Sequence, residues 1–587
     1  MRILQLAPET IVHILQYTSA HDIRNCQKVC RLLCGLIKSC LLLQYILTLE
    51  ESGYHPPLYP RLDLDYAQMI KVLRDNRDGW LSRPKLSNIS FIDIVSHDVG
   101  ISSFVDGVFV YAPRNVVNEI PDLDESRTTI HFHQLPSINK GTSYKYWHHC
   151  LNWNVINMAI QPEIDLLVLF TYDSLPDGKT SYHIQLRTMS TNDPHPLAAS
   201  TALPLPDLDF LYVNPSHLIL HDDFVHIHGR MIGLHLNSGD SVQPRSLTVI
   251  WNWMTGTKVA YPALQSPGLY SMTFISEQYF ILPRRAMSNQ YFQFAKLGHL
   301  EVYPIPNYDQ TQPFARFMLP EPYKVLEFIF IGLDGNCPTL PPTAATRSYS
   351  RPRIYESSSE DRQLCLLVDV GLGDAGRGWL YISTKALLKF LREANGSDIE
   401  PLSHNESLEI PWSVWGSCTS WIPHFGDESH SVFLWGQRCA VLRADYTEIT
   451  DSDSTFDRDL YIIDFDQNRT KAYSLLETCR QIAALELPPE RLVEMHKDRN
   501  LALGDRVDLR VFRDALHSDA RYLQVKATLK GAEELLREKG IFDIDDIDDE
   551  SNSSPWLMDV MMDDEHVAVI IAKGDGPIPI GLLVYTP

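Results

Sequence analysis

At 587 residues, with 44% apolar and 10% aromatic residues, the chain has enough hydrophobic material for about two to four packed domains, which excludes wholesale disorder. A formal charge of −23 and the lack of any Lys/Arg block exclude an electrostatic nucleic-acid binder, because phosphate would be repelled. Ten cysteines are spread without the rhythm of a disulfide scaffold and without a CxxC pair, which fits thiols in a reducing, intracellular compartment rather than a metal site. Arg2 is followed only by Ile3 and Leu4 before Gln5, which is not the pattern of a signal peptide, and Leu41 to Leu49 is too short and interrupted to span a bilayer.

The first fifty residues read as a helical hairpin with surplus apolar surface. Pro8 and Glu9 open a helix, since proline suits the first turn and an acid suits its positive end. Ile11, Ile14, Leu15 and Thr18 recur at helical spacing. Ser19 is placed to cap the next helix, with Asp22 three positions on. Cys26, Val29, Cys30, Leu33, Cys34 and Ile37 continue the pattern, and the cysteines at every fourth position predict one helix face of small buried thiols. A unit of about forty residues is near the limit for burying its own core, so this surface must rest on the remaining chain or on another protein.

The pattern of Leu6, Glu9, Ile11, Ile14, Leu15, Asp22, Ile23, Val29, Cys30 and Arg31 resembles an F-box, with two departures: Ala7 where a proline is usual and Leu33 where a tryptophan is usual. The resemblance implies docking to a Skp-family adaptor, and through it to a cullin, by way of Leu6, Pro8, Glu9, Ile11, Ile14, Leu15, Ile23, Val29, Cys30, Leu33 and Ile37.

Tyr66 to Leu81 reads as another amphipathic helix, with Met69, Ile70, Val72, Leu73 and Trp80 apolar, that couples the hairpin to the remainder of the chain. From Phe91 onward short apolar runs recur in pairs: Asp165–Tyr172 with Tyr182–Arg187, Phe224–His228 with Ser246–Trp253, Gln278–Pro283 with His299–Tyr303, Leu364–Val370 with Gly378–Ile382, Ser431–Trp435 with Asp459–Phe465, and His566–Ile571 with Gly581–Tyr585. The recurrence, at roughly fifty to ninety residues, predicts blades of a propeller, whose inner strands are covered on both faces by their neighbours. Val249 to Gly256 resembles the Trp-Asp-x-x-Thr-Gly end of a WD repeat, with Asn252 in place of the aspartate. The alternative all-β arrangement is a pair of stacked sandwiches. The strongly apolar C-terminal run Leu582 to Tyr585 is expected to close a ring of roughly six to eight blades, seven favoured, by pairing with strands of the 91–135 region.

The joining segments are irregular. Thr339 to Asp361, rich in Pro, Ser, Thr and Arg, reads as a mobile loop; Ser383 to Ala394 reads as a helix with Leu387, Leu388 and Leu391 inside; Gly531 to Lys539 reads as a second helix. The acidic run Asp543 to Glu550 reads as a solvated loop. Gly371, Gly373 and Gly376 match GxGxxG, but Gly378 to Ile382 reads as a strand where a nucleotide site needs a helix, so these glycines predict a hairpin turn. His217, His221, His226 and His228 read as the polar edge of a strand, and no HExxH, GxSxG or P-loop is present.

The expected fold is therefore an α+β multidomain chain: a small N-terminal all-α F-box hairpin at residues 1–50, a helical linker at 51–90 and a large all-β propeller-like domain at 91–587. The resemblance implies a non-enzymatic, cofactor-free substrate receptor of a Skp–cullin–F-box ubiquitin ligase. It is reminiscent of large fungal families of F-box proteins, with an unknown protein client and no membrane or nucleic-acid partner. A non-degradative scaffold and a propeller holding a small ligand in its channel are the alternatives.

Overall fold

The computed structural model describes residues 5–81, 88–94, 99–113, 128–174, 180–205, 225–237, 246–260, 271–285, 298–305, 313–321, 330–334, 351–358, 360–369, 377–396, 407–423, 432–444, 458–466, 501–503, 523–527, 530–539, 556–573 and 578–586. Five helices come first: α1 (Pro8–Leu15), α2 (Ala20–Val29), α3 (Arg31–Ser39), α4 (Leu41–Glu51) and α5 (Tyr66–Leu81). The local chemistry sets their ends. Pro8 occupies the first turn of α1, and Ser19 Oγ accepts from Asp22 N at 3.1 Å while donating to Asp22 Oδ2 at 2.7 Å. Cys30 departs from the expected continuous cysteine face. Its backbone is extended (φ −159°, ψ 162°), so it ends α2 and caps α3, with Sγ accepting from Leu33 N at 3.5 Å. Ile11, Leu15, Ile23, Leu33, Ile37, Leu43 and Leu47 form the first helical core.

Seven sheets come after the helices, each a meander of four strands with one additional strand on two of them. In chain order the blades occupy residues 99–151, 154–204, 225–260, 273–318, 330–423, 432–527 and 556–586. The first strands lie against one another around the ring: blade 7 against blade 1, blade 1 against blade 2, blade 2 against blade 3 and blade 3 against blade 4. A closed seven-bladed propeller results, and the stacked-sandwich alternative is overturned. Leu166–Ser174 illustrates why the sequence folds this way: Leu166 to Phe170 are all fully buried, as a strand sandwiched between neighbouring blades requires.

The paired runs fare unevenly. Leu166–Ser174 hydrogen-bonds directly to Thr180–Thr188, Tyr279–Arg285 to Gly298–Pro304, Gln363–Asp369 to Arg377–Ser383 and Val567–Lys573 to Ile578–Thr586. The other two pairs are separated by an intervening strand: Met231–Asn237 between Val225–His228 and Ser246–Asn252, and Arg438–Ala444 between Val432–Trp435 and Arg458–Asp464. Gly233 masks the first of these in the sequence. A Cβ there would displace the Met272 side chain of the next blade and press on the Phe274 ring at 3.0 Å. In the WD-like segment Trp251 and Trp253 are fully buried, and Asn252 Oδ1 accepts from Met254 N (3.1 Å) and Thr255 N (3.3 Å), holding the turn that Gly256 completes at φ +69°.

The ring closes with the chain's last strand. Ile578–Thr586 runs antiparallel to Asn88–Asp93, with Leu582 opposite Ile92, Leu583 opposite Phe91 and Tyr585 opposite Ile89. The partner strand begins three residues before the expected domain start at 91. Gly581 is required here, since a Cβ would lie 2.0 Å from the Phe91 ring. Thr384–Gly396 and Lys530–Glu538 are helices inserted among the strands, as is the short Trp412–Trp415, and Leu387, Leu388 and Leu391 are buried as expected. Residues 543–550 lie outside the described residues.

Because Ile578–Thr586 is bonded on both sides, its loss opens two edges. Deleting residues 580–587 should lower the melting temperature of the whole propeller by about 10 °C or more and promote aggregation; an unchanged melting curve would contradict the closure.

Candidate functional site

The residues implied in adaptor docking separate into two groups. Ile11, Leu15, Ile23, Leu33 and Ile37 are 0–5% exposed and face inward, so they support the helical surface rather than form it. Leu6 and Cys30 are half-buried. Pro8, Glu9, Ile14 and Val29 are exposed, Ile14 at 40% and Val29 at 70%. Tyr17 (77%) and Leu32 (55%) join them, although the sequence pattern did not single them out. Tyr17 lies just past the end of α1 and Leu32 in the first turn of α3, while Val29 ends α2, so the set gathers at the helix ends. Large apolar side chains left in water above a filled core mark a surface suited to a protein partner.

That surface is held to the propeller by a joint. The segment 351–358, read from composition as part of a mobile loop, is instead packed; the remainder of that stretch up to residue 350, with residue 359, lies outside the described residues. This strap connects the first and second strands of blade 5. Ile354 and Tyr355 are fully buried in a core shared with Tyr45 and Leu49 of α4, Tyr54, and Met69, Ile70 and Leu73 of α5. The Tyr54 and Tyr355 rings stack at 4.1 Å, and the Tyr45 hydroxyl donates to Ile354 O. Backbone bonds tie His55 to Glu356 (2.8 and 3.0 Å) and Arg353 to Tyr59 (2.9 Å) and Arg61 (3.0 Å).

Asn139, in the loop between the last two strands of blade 1, fastens the strap from below. Its Oδ1 accepts from Ile354 N (2.8 Å) and Tyr355 N (3.1 Å), and its Nδ2 donates to Tyr355 O (3.2 Å). Helix α5 reaches blade 7 directly: Asn76 Nδ2 and Trp80 Nε1 donate to Asp564 O at 3.1 and 3.2 Å. Arg438 of blade 6 lies 4.5 Å from the Trp80 ring and donates to the Tyr54 hydroxyl at 3.2 Å. The strap then continues past Gln437 of blade 6 to Arg362, which is fully buried and donates to Phe274 O of blade 4. It touches the inner turns of the ring on opposite sides and so lies over one mouth of the central channel.

Among the described residues no group of three or more His, Cys, Asp or Glu could hold a metal ion. His228, expected on a polar strand edge, is buried instead against Phe274, with its ring stacked at 5.8 Å. Burial, with Arg362 nearby, lowers it to about 3 and keeps it neutral. His217 and His221 lie outside the described residues, as do Gly371, Gly373 and Gly376. The strands flanking those glycines pair antiparallel from Asp369 to Arg377, which leaves no helix to start at the third glycine. No single helix among the described residues is long and apolar enough to cross a membrane.

Asn139 generates a direct check of the joint. Asn139→Ala removes the side-chain acceptor of the buried Tyr355 amide, leaves Ile354 N only the Asn139 backbone carbonyl at 3.2 Å, and should destabilise the protein by about 1–3 kcal/mol in chemical denaturation. Hydrogen exchange in 41–54 should accelerate before exchange in the blades.

Residues 3–45 match the F-box domain family. No curated protein matches the chain. Among solved structures the chain is similar to the C-terminal WD40 domain of Sif2, at 11% identity and a TM-score of 0.31, covering 85% of this chain and 98% of that one. Residues 3–45 thus match an F-box domain, and the seven blades closed by the terminal strand form the β-propeller that follows it.

Proposed function

We propose that this protein is the substrate-recognition subunit of a Skp–cullin–F-box ubiquitin ligase, acting inside the cell. The observation that carries the reading is the exposed apolar set Ile14, Tyr17, Val29 and Leu32 on an F-box whose own core is already filled. Such a surface gains its free energy by excluding water against a partner, and a Skp-family adaptor is the partner that F-box domains typically take. The adaptor in turn brings the cullin and the catalytic subunits, so this chain needs no reactive centre of its own.

The joint supports a division of labour between the two ends of the ring. Antiparallel meanders put all first-to-second and third-to-fourth strand turns at one end, and that end is covered by the strap, α4 and α5. A protein client is therefore captured at the opposite end, built from the second-to-third strand loops and the connections between blades. A strap over one channel mouth also disfavours the alternative of a small ligand threading the channel. Receptor and non-degradative scaffold are separated by reconstituting the ligase and asking whether the captured client is ubiquitinated.

The adaptor surface has a clean test. Val29→Asp combined with Leu32→Asp places two charges on exposed positions and should leave the melting curve unchanged, yet weaken copurification of the adaptor by at least about tenfold. Ile11→Asp with Leu15→Asp should instead unfold the F-box, because both side chains are buried. Wild-type recovery of the adaptor by the surface variant would exclude this docking mode.

A further inference from the structure

The strap does not close on apolar contacts alone; its polar side meets an unusual excess of acid. Arg353 Nη2 lies 2.8 Å from Asp106 Oδ2, in the inner turn of blade 1, and 2.5 Å from Glu163 Oε1, in the inner turn of blade 2. Lys140 Nζ, from the outer loop of blade 1, lies 2.7 Å from Asp106 Oδ1. These four side chains are only 8–15% exposed. Glu356, three strap residues further on, is half-buried and adds a third carboxyl to the field of Arg353 and Glu163.

The inner turn of blade 7 adds more. Asp564 accepts from Ser357 Oγ of the strap at 2.6 Å. Glu565 accepts from Ser137 Oγ and from Asn139 N at 2.8 Å. His566 Nδ1 lies 3.0 Å from Asp563 Oδ1. Arg61 of the linker pairs with Asp63, whereas Arg438 of blade 6 pairs with Asp464 at 3.3 Å and also acts on Asp564. The joint thus sets the seven carboxyl groups of Asp106, Glu163, Glu356, Asp464, Asp563, Asp564 and Glu565 against the four cations Lys140, Arg353, Arg438 and His566. Uncompensated buried charge is costly enough that such a cluster keeps protons instead.

We propose that the joint is a proton-held latch, in which carboxyl groups beneath the strap stay protonated at mildly acidic pH and, on losing those protons at mildly alkaline pH, release the strap and with it α4 and α5 from the ring. Electrostatics support the geometry. Burial raises Glu163 to about 7, against the pull of Arg353 and Lys140 and with the push of Asp106 and Glu356. Burial likewise raises Glu356, Asp564 and Glu565. Burial alone would lower His566, but the Asp563 carboxylate more than offsets it and holds the imidazolium above its ordinary range. Each of these groups binds its proton more tightly folded than unfolded. Their stabilisation is therefore present at low pH and lost as pH rises, for Glu163 between 4.5 and about 7 and for His566 above 6.5. Asp563, which His566 lowers against the effect of burial, acts in the opposite sense, below 3.8.

The Arg353–Ile354 bond reports the latch directly. Ile354 is fully buried, so trypsin reaches that bond only when the strap lifts, and Pro352 protects the bond after Arg351. Cleavage after Arg353 in the full chain is followed from pH 5.5 to pH 8, normalised at each pH to a peptide carrying the same bond. Wild type should show a rise of about tenfold or more, while blade sites stay uncut. Glu163→Gln, which mimics the protonated carboxyl, should show a rise several-fold smaller. Equal rises in the two proteins overturn the latch. So does a flat wild-type profile, which needs no variant, and so does cleavage of the blades in step with the strap.

Discussion

A guanidinium withdrawn from water must be matched by buried acceptors, and Arg353 is placed where that requirement ties the most chain together. Its carboxylate partners come from blades 1 and 2, its backbone bonds to the linker, and its own chain belongs to blade 5. Truncating it would leave Asp106 and Glu163 buried without their shared cation, a far larger loss than that of an exposed pair. Around it, Tyr45, Tyr54 and Tyr355 supply burial that needs no charge. The joint is therefore apolar on the helical side and ionic on the ring side. The F-box orientation results from both.

This arrangement gives the propeller two roles. It is a scaffold whose blades are each covered by their neighbours, and its inner turns form the socket for the strap. The socket could not exist without ring closure, because Asp563 to His566 lie in blade 7, next to the seam that Ile578–Thr586 closes against Asn88–Asp93. The terminal strand thus supports the F-box position through a chain of contacts, from seam to inner turn to α5 by way of Asp564, Asn76 and Trp80.

What was legible in the sequence was whatever depends on neighbours along the chain. Pro8, Ser19 and the helical spacing of Ile11, Leu15, Leu33 and Ile37 located the F-box helices, because caps and periodicity act within a few residues. Continuous apolar runs marked the inner strands, whereas Met231–Asn237 and Arg438–Ala444 escaped because a glycine or terminal arginines broke their pattern. The strap was misread for a deeper reason. Pro, Ser and Arg describe a polar composition, but Arg353 meets Asp106 across 247 residues and Ile354 meets Tyr45 across 309. The exposed apolar set of the F-box was half legible: periodicity finds the apolar stripe of a short helix, yet it cannot tell Leu15, turned inward, from Ile14, turned to solvent.

The coupling of F-box to ring is tested most directly by native-state hydrogen exchange on the full chain at mildly acidic pH, comparing residues 351–358 and 41–54 with the inner strands of blades 1 and 7. Amides of Ile354 and Tyr355, bonded to Asn139, and those of α4 should exchange on the timescale of the blade strands. Complete exchange of the strap and α4 within seconds, while the blades remain protected, would contradict a fixed joint and leave the F-box free to swing.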